Sequence, residues 1–171
     1  MSSFFQGLCA ASLVTSVMIA TPAEADVRVS FDEGAPKDRF RIENTGTCTI
    51  SRSSITVDLS GSQGGLVFDV TARGAGVEVF QPFELVEGAE ALMGLPTVVD
   101  GQTEVRLDIA RLAPNETVAF TIDVDDTLGQ RGITVSGAEI EGATVTYAQA
   151  GSLKSATFSA GSEAEISVSN C

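Results

Sequence analysis

The chain has 171 residues, 23 acidic against 10 basic side chains, no histidine and a formal net charge of −13. That length suits one domain with a real core, and the charge argues against nucleic acid and anionic membrane surfaces, whose phosphates attract basic faces. The missing histidine removes Ser-His-Asp and Cys-His machinery, and leaves an acidic surface that serves solubility or attracts divalent cations.

Residues 1–20 are apolar and small, and Ala23-Glu24-Ala25 reads as an A-x-A cleavage site before Asp26. This is the pattern of a secretory signal peptide, although no Lys or Arg precedes the apolar run. Ser12, Thr15, Ser16, Thr21 and Pro22 dilute the run, which disfavours a membrane anchor. The expected organisation is a signal peptide at 1–25 and a single domain at 26–171. Losing Glu24 leaves 22 acids against 10 bases, a net charge of −12. The expected location is the periplasm or the cell exterior, with no membrane insertion after signal removal.

Cys9 leaves with the signal, so Cys48 and Cys171 remain as an even pair in an oxidising compartment. A Cys48–Cys171 disulfide is expected. It would close a long loop, worth roughly 4–5 kcal/mol on the loop-entropy argument. Two cysteines without histidine make a poor zinc site.

From Asp26 onward the pattern is strand, turn, strand. Val27, Val29 and Phe31 alternate with polar residues, and so do Phe40 and Ile42, a strand closed by Asn44-Thr45-Gly46. Ile55, Val57 and Leu59 face one way in the next strand. After a Gly-rich turn Leu66, Phe68 and Val70 face in, opposite Asp69. Val77 to Phe80 is a further short strand, and Gln81-Pro82-Phe83 breaks the alternation. The run EGAEALMGL at 87–95 reads as a short helix weakened by Gly88 and Gly94. Asp100-Gly101 is a turn signal, and Val105, Leu107 and Ile109 alternate after it.

The clearest strand follows. Val118, Phe120, Ile122 and Val124 point to one side, and Thr117, Ala119, Thr121, Asp123 and Asp125 to the other. Beyond it, Ile133 with Val135, Val145 with Tyr147, residues 157–159 and residues 165–169 complete about ten short strands. Strands at this spacing, without strand–helix alternation, predict an all-β antiparallel sandwich, immunoglobulin-like or jelly-roll-like.

Chemistry concentrates where that strand ends. Asp123 and Asp125 leave the same face, about 7 Å apart at Cα, and Asp126 opens the following loop. Calcium takes six to eight oxygens, often from several carboxylates, so Asp123, Asp125 and Asp126 form the candidate metal set. Asp58, Asp69 or Asp108 would add oxygens if their strands lie alongside. The competing reading is a solvated strand end, with Arg131 answering a carboxylate. No EF-hand loop is present. A carboxylate pair of glycosidase type fits the spacing, but any acidic strand offers one, so the expectation is a non-enzyme. Phe80 and Phe83 flank Pro82 and form a candidate contact patch, or else plug the end of the sandwich. Lys37, Arg39 and Arg41 form the one basic cluster, expected to pair with neighbouring acids.

Two resemblances carry weight. The NTG strand end at 44–46, followed later by L-x-P-x-E-x-x-x-F-x at 112–121, is similar to immunoglobulin-like bacterial surface domains, and supports fold only. The segments GAPKDRFRIENTG, GLVFDVTARGAGVEVFQPFE, VAFTIDVDDT and ITVSGAEIEGATV, with Cys48 and Cys171, resemble small secreted bacterial proteins labelled aggregation factor core. The resemblance covers most of the chain after residue 25. That label comes from distant similarity to a core protein of sponge adhesion particles, where calcium-dependent adhesion is the theme. It implies adhesion to an unknown protein or glycan at the cell surface, with Ca2+ as a possible cofactor. It supplies no catalytic or binding residues. Two other expectations stand beside it: a periplasmic glycan- or small-ligand-binding module, and a passive subunit of a secreted assembly.

Overall fold

In the computed structural model, residues 25–71, 81–128 and 135–168 are described. The signal segment, Phe80, Arg131 and Cys171 fall outside them, as does the expected strand at 77–80. Among the described residues no helix is long and apolar enough to cross a membrane.

The described chain is an antiparallel β-sandwich of eleven strands, in the order β1 (Ala25–Asp32), β2 (Asp38–Asn44), β3 (Ser53–Asp58), β4 (Leu66–Phe68), β5 (Glu84–Glu87), β6 (Glu104–Ile109), β7 (Thr117–Ile122), β8 (Val124–Asp126), β9 (Thr144–Gln149), β10 (Ser152–Thr157) and β11 (Glu163–Val168). A five-stranded sheet runs β11-β1-β2-β7-β5, a four-stranded sheet runs β10-β9-β3-β6, and β4 pairs with β8 in a small sheet of its own. Alternation decides what lies between the sheets. Val27, Val29, Phe40, Ile42, Val118 and Phe120 come from one side, Ile55, Val57, Val105, Leu107 and Val145 from the other, and all join one buried cluster.

An aromatic ladder crosses the larger sheet. Phe31 meets Phe40 at 5.0 Å, Phe40 stacks on Phe120 at 5.1 Å, and Phe83 stacks on Phe120 at 4.8 Å. Phe68 of β4 approaches Phe40 edge-on at 6.3 Å. Such pairs add about 0.5–1.5 kcal/mol each beyond their area. The ladder therefore gives the small β4–β8 sheet a fixed seat against the main core.

Several expectations need correction. The segment 87–95 forms no continuous helix: Glu84–Glu87 is strand β5, and only Ala89–Ala91 makes a 3₁₀ turn. Gly88, at φ 79°, sits against the Thr117 carbonyl and turns the chain there. Leu92 then bridges to Ile109, and Met93 N–H donates to Asp108 O at 2.8 Å. Strand β10 lies at Ser152–Thr157 rather than 157–159, and Phe158 is buried just beyond it. It escaped notice because its pattern has no buried face; it is held by pairing with β9. Val135 is buried but belongs to no strand. Ala119, expected to face outward in the open, is fully buried between its register neighbours Arg41 and Glu87.

Candidate metal centre at the acidic end

The strand read as continuous from 117 to 125 breaks at Asp123, and Asp126, expected to open a loop, belongs to β8. β7 belongs to the five-stranded sheet; β8 leaves it and pairs with β4, with Leu66 opposite Asp126, Val67 opposite Asp125 and Phe68 opposite Val124. The break is pinned from beneath. Asp38, 2% exposed, accepts Val124 N–H at 3.1 Å and Gly34 N–H at 3.0 Å. Buried backbone donors require such partners, so this acid of the supposed basic cluster is a structural bracket. Its sequence neighbour Lys37 pairs with Glu84 at 2.6 Å, while among the described residues no acid lies within ion-pair distance of Arg39 or Arg41. The expected pairing of that cluster therefore holds for Lys37 alone.

Asp69 follows β4 directly. Its N–H donates to Asp123 O at 3.1 Å, which fixes the two residues side by side. Asp100 clamps the next residues: its Oδ1 accepts Val70 N–H and Thr71 N–H, each at 2.8 Å, and its Oδ2 meets the Thr71 hydroxyl. The loop around Gln102 also bonds Phe68, its carbonyl accepting Phe68 N–H at 2.8 Å. Asp69 was expected to face outward. These covers leave it only 3% exposed.

The result is a convergence of Asp69, Asp123 and Asp125, with one ligand oxygen from each lying within 4.8 Å of the others. Among the described residues, five buried side-chain atoms lack a hydrogen-bond partner; Asp69 Oδ1 is the one that lies in this group. No ion pair reaches Asp69 or Asp123 among the described residues. Electrostatics record the crowding. Burial, then repulsion from Asp125, Asp38 and Asp69, raises Asp123 to about 7. Burial and Asp125, with Asp100 adding, raise Asp69 to about 6. Burial outweighs the two backbone N–H bonds to Asp38 and raises it to about 7. Asp100 goes the other way, held below the usual range chiefly by the Thr71 hydroxyl.

Chemically, this is an acceptor-only pocket whose negative charges repel one another unless protons or a cation intervene. A calcium shell of 2.3–2.6 Å radius is about 4.8 Å across, so the three oxygens can share one such ion. Of the candidate set, Asp123 and Asp125 come together as their i, i+2 spacing implies. Asp126 is not in the group, because consecutive strand residues point to opposite faces. Of the possible additional ligands only Asp69 joins; Asp58 caps Ser60 N–H at 2.9 Å and Asp108 holds Arg106 Nε at 2.9 Å. Asp38 and Asp100 were not anticipated here. The roles of both depend on which backbone amides the fold brings to them.

The other sequence candidates lie elsewhere. Phe83 packs on the core through Phe120; its companion Phe80 is outside the described residues. Cys48 is half-buried and packs against the core cluster, and the expected partner Cys171 is outside the described residues. In comparison with known proteins, the chain matches no family model, and no curated protein or solved structure matches it.

Proposed function

We propose that this protein is an exported, non-catalytic β-sandwich that acts by binding at the cell surface, as an adhesion-type module, and that calcium held by Asp69, Asp123 and Asp125 rigidifies its acidic end. The observation that carries the reading is the buried Asp69 carboxylate, whose Oδ1 has no hydrogen-bond partner and one of whose oxygens lies within 4.8 Å of oxygens of Asp123 and Asp125. A buried polar atom left unanswered costs about 1–3 kcal/mol, more when charged. A cation removes that cost and the repulsion together. The absence of histidine supports the non-catalytic part. The A-x-A pattern supports export, the even cysteine pair supports a Cys48–Cys171 disulfide, and the aggregation factor core resemblance supports adhesion to a protein or glycan.

The test is a calcium titration of the purified protein, followed by thermal melting and calorimetry. The melting temperature should rise at millimolar calcium, and the rise should vanish in Asp69→Asn and Asp123→Asn. An unchanged melt, with both variants indistinguishable from wild type, sinks the metal reading. Adhesion is tested separately, by bead or cell aggregation with and without a chelator.

A further inference from the structure

The outer face of the four-stranded sheet carries a second site, far simpler in origin. The register lines up Leu153, Ala148, Ser54 and Asp108 across β10, β9, β3 and β6. The two central strands contribute small side chains and the two edge strands large ones. With strands about 4.8 Å apart, the walls stand roughly 14 Å from one another. Small residues between tall ones make a trough. It has a volume of about 630 Å³, within the range usual for small-ligand sites.

The trough has a distinct chemistry. One wall is Leu153, 70% exposed, and Met93 adds a second apolar surface across the floor. The charged lining is two arginines, Arg52 and Arg106, against one carboxylate, Asp108. Arg106 is oriented by its Nε bond to Asp108 at 2.9 Å, which leaves its terminal nitrogens to donate elsewhere. Arg52, at the end of the trough, has no carboxylate within ion-pair distance among the described residues. Among the described residues Arg39 and Arg41 share this state, and of the three Arg52 is the one that lines the trough. The β9–β10 turn closes this end, with Ala150 at φ 47° and Gly151 at φ 84°.

We infer that this trough binds a small organic anion: a carboxylate whose head is held by Arg52 and the free nitrogens of Arg106, and whose aliphatic body lies over Ala148 and Ser54 against Leu153 and Met93. A guanidinium presents a planar fork that matches a carboxylate. Burying methylenes against Leu153 strengthens binding by up to about fourfold per CH₂, so head and body both contribute. The site shares no residue with the acidic end and does not depend on the calcium reading.

The experiment is an amide-shift NMR titration of the whole mature chain at pH 7 in EDTA. The probes are hexanoate, acetate and hexylammonium. Hexanoate should move the amides of Ser54, Ala148, Ala150 and Gly151 saturably; acetate should bind more weakly, and hexylammonium not at all. Arg52→Gln should weaken hexanoate roughly tenfold or more. Leu153→Ser should weaken hexanoate while leaving acetate unchanged. Both side chains are on the surface, so each variant should keep the wild-type melting temperature, which the same samples report. No saturable shift with hexanoate, equal shifts with hexylammonium, or undiminished affinity in Arg52→Gln would each overturn the assignment.

Discussion

Asn44 and Asp69 are both buried polar side chains, and the fold treats them in opposite ways. Asn44, at one end of β2, is fully enclosed and fully answered. Its Nδ2 donates to Cys48 O at 2.8 Å and Leu112 O at 2.9 Å, and its Oδ1 accepts Gly46 N–H at 3.1 Å. It buckles three stretches of chain together. At the other end of β2, beyond the Asp38 bracket, Asp69 is almost as deeply enclosed and keeps an oxygen without a donor. A satisfied buried amide explains itself through stability. An unsatisfied carboxyl beside two others is a cost that the fold tolerates, and such costs gather where something binds.

The largest effect should come from breaking the satisfied end. Asn44→Ala removes three hydrogen bonds and takes the side-chain donor from the Cys48 carbonyl, while the Leu112 carbonyl keeps Ile50 N–H, for a loss of about 3 kcal/mol in urea unfolding. Calcium should strengthen the other end by nearly as much. At a hundredfold excess over its dissociation constant it adds about 2.7 kcal/mol, or roughly 5–10 °C in a chain of this size. A melting temperature that rises equally in Asp69→Asn would place the ion elsewhere. In chelator the same variant should be more stable than wild type by about 1 kcal/mol, because it relieves repulsion that no cation is present to relieve.

Acidity sharpens the contrast further. Asp38 is raised from 3.8 to about 7 in the folded protein, so the fold binds its proton more tightly than the unfolded chain does. Its contribution is fully present below about pH 4 and is lost as pH rises through about 7. The stability of metal-free wild type, measured relative to Asp38→Asn, should therefore decline between pH 4 and pH 7. A flat difference would mean that the backbone N–H bonds hold the ionised form after all. The smallest effect is reserved for Asp126→Asn. That side chain is outside the converging group, so its calcium response should match wild type within error.

Much of the fold was legible because half-buried strands declare themselves by alternation. β1, β2, β3, β6, β7, β9 and β11 each carry apolar residues at every second position. β10 has no buried face, and β5 has only Leu85 packed against the core, so neither is visible without its partner. The acidic site divides along the same line. Asp123 and Asp125 share a face by local geometry, and sequence spacing sufficed to pair them. Asp69 joins from 54 positions earlier in the chain, through a backbone bond to Asp123 that no periodicity announces. Asp126 was included for its closeness in sequence, and the pleat turns it away.

Taken alone, the amino-acid order determines an all-β sandwich, an acidic surface and a carboxylate pair at one strand end. These follow from side-chain period and charge, which are local properties. Tertiary structure decided that β8 leaves its sheet at Asp123, that Asp38 and Asp100 face backbone donors, and that Asp69 is buried beside two like charges. Each of those depends on which strands lie side by side, and long-range pairing is settled only when the whole core closes.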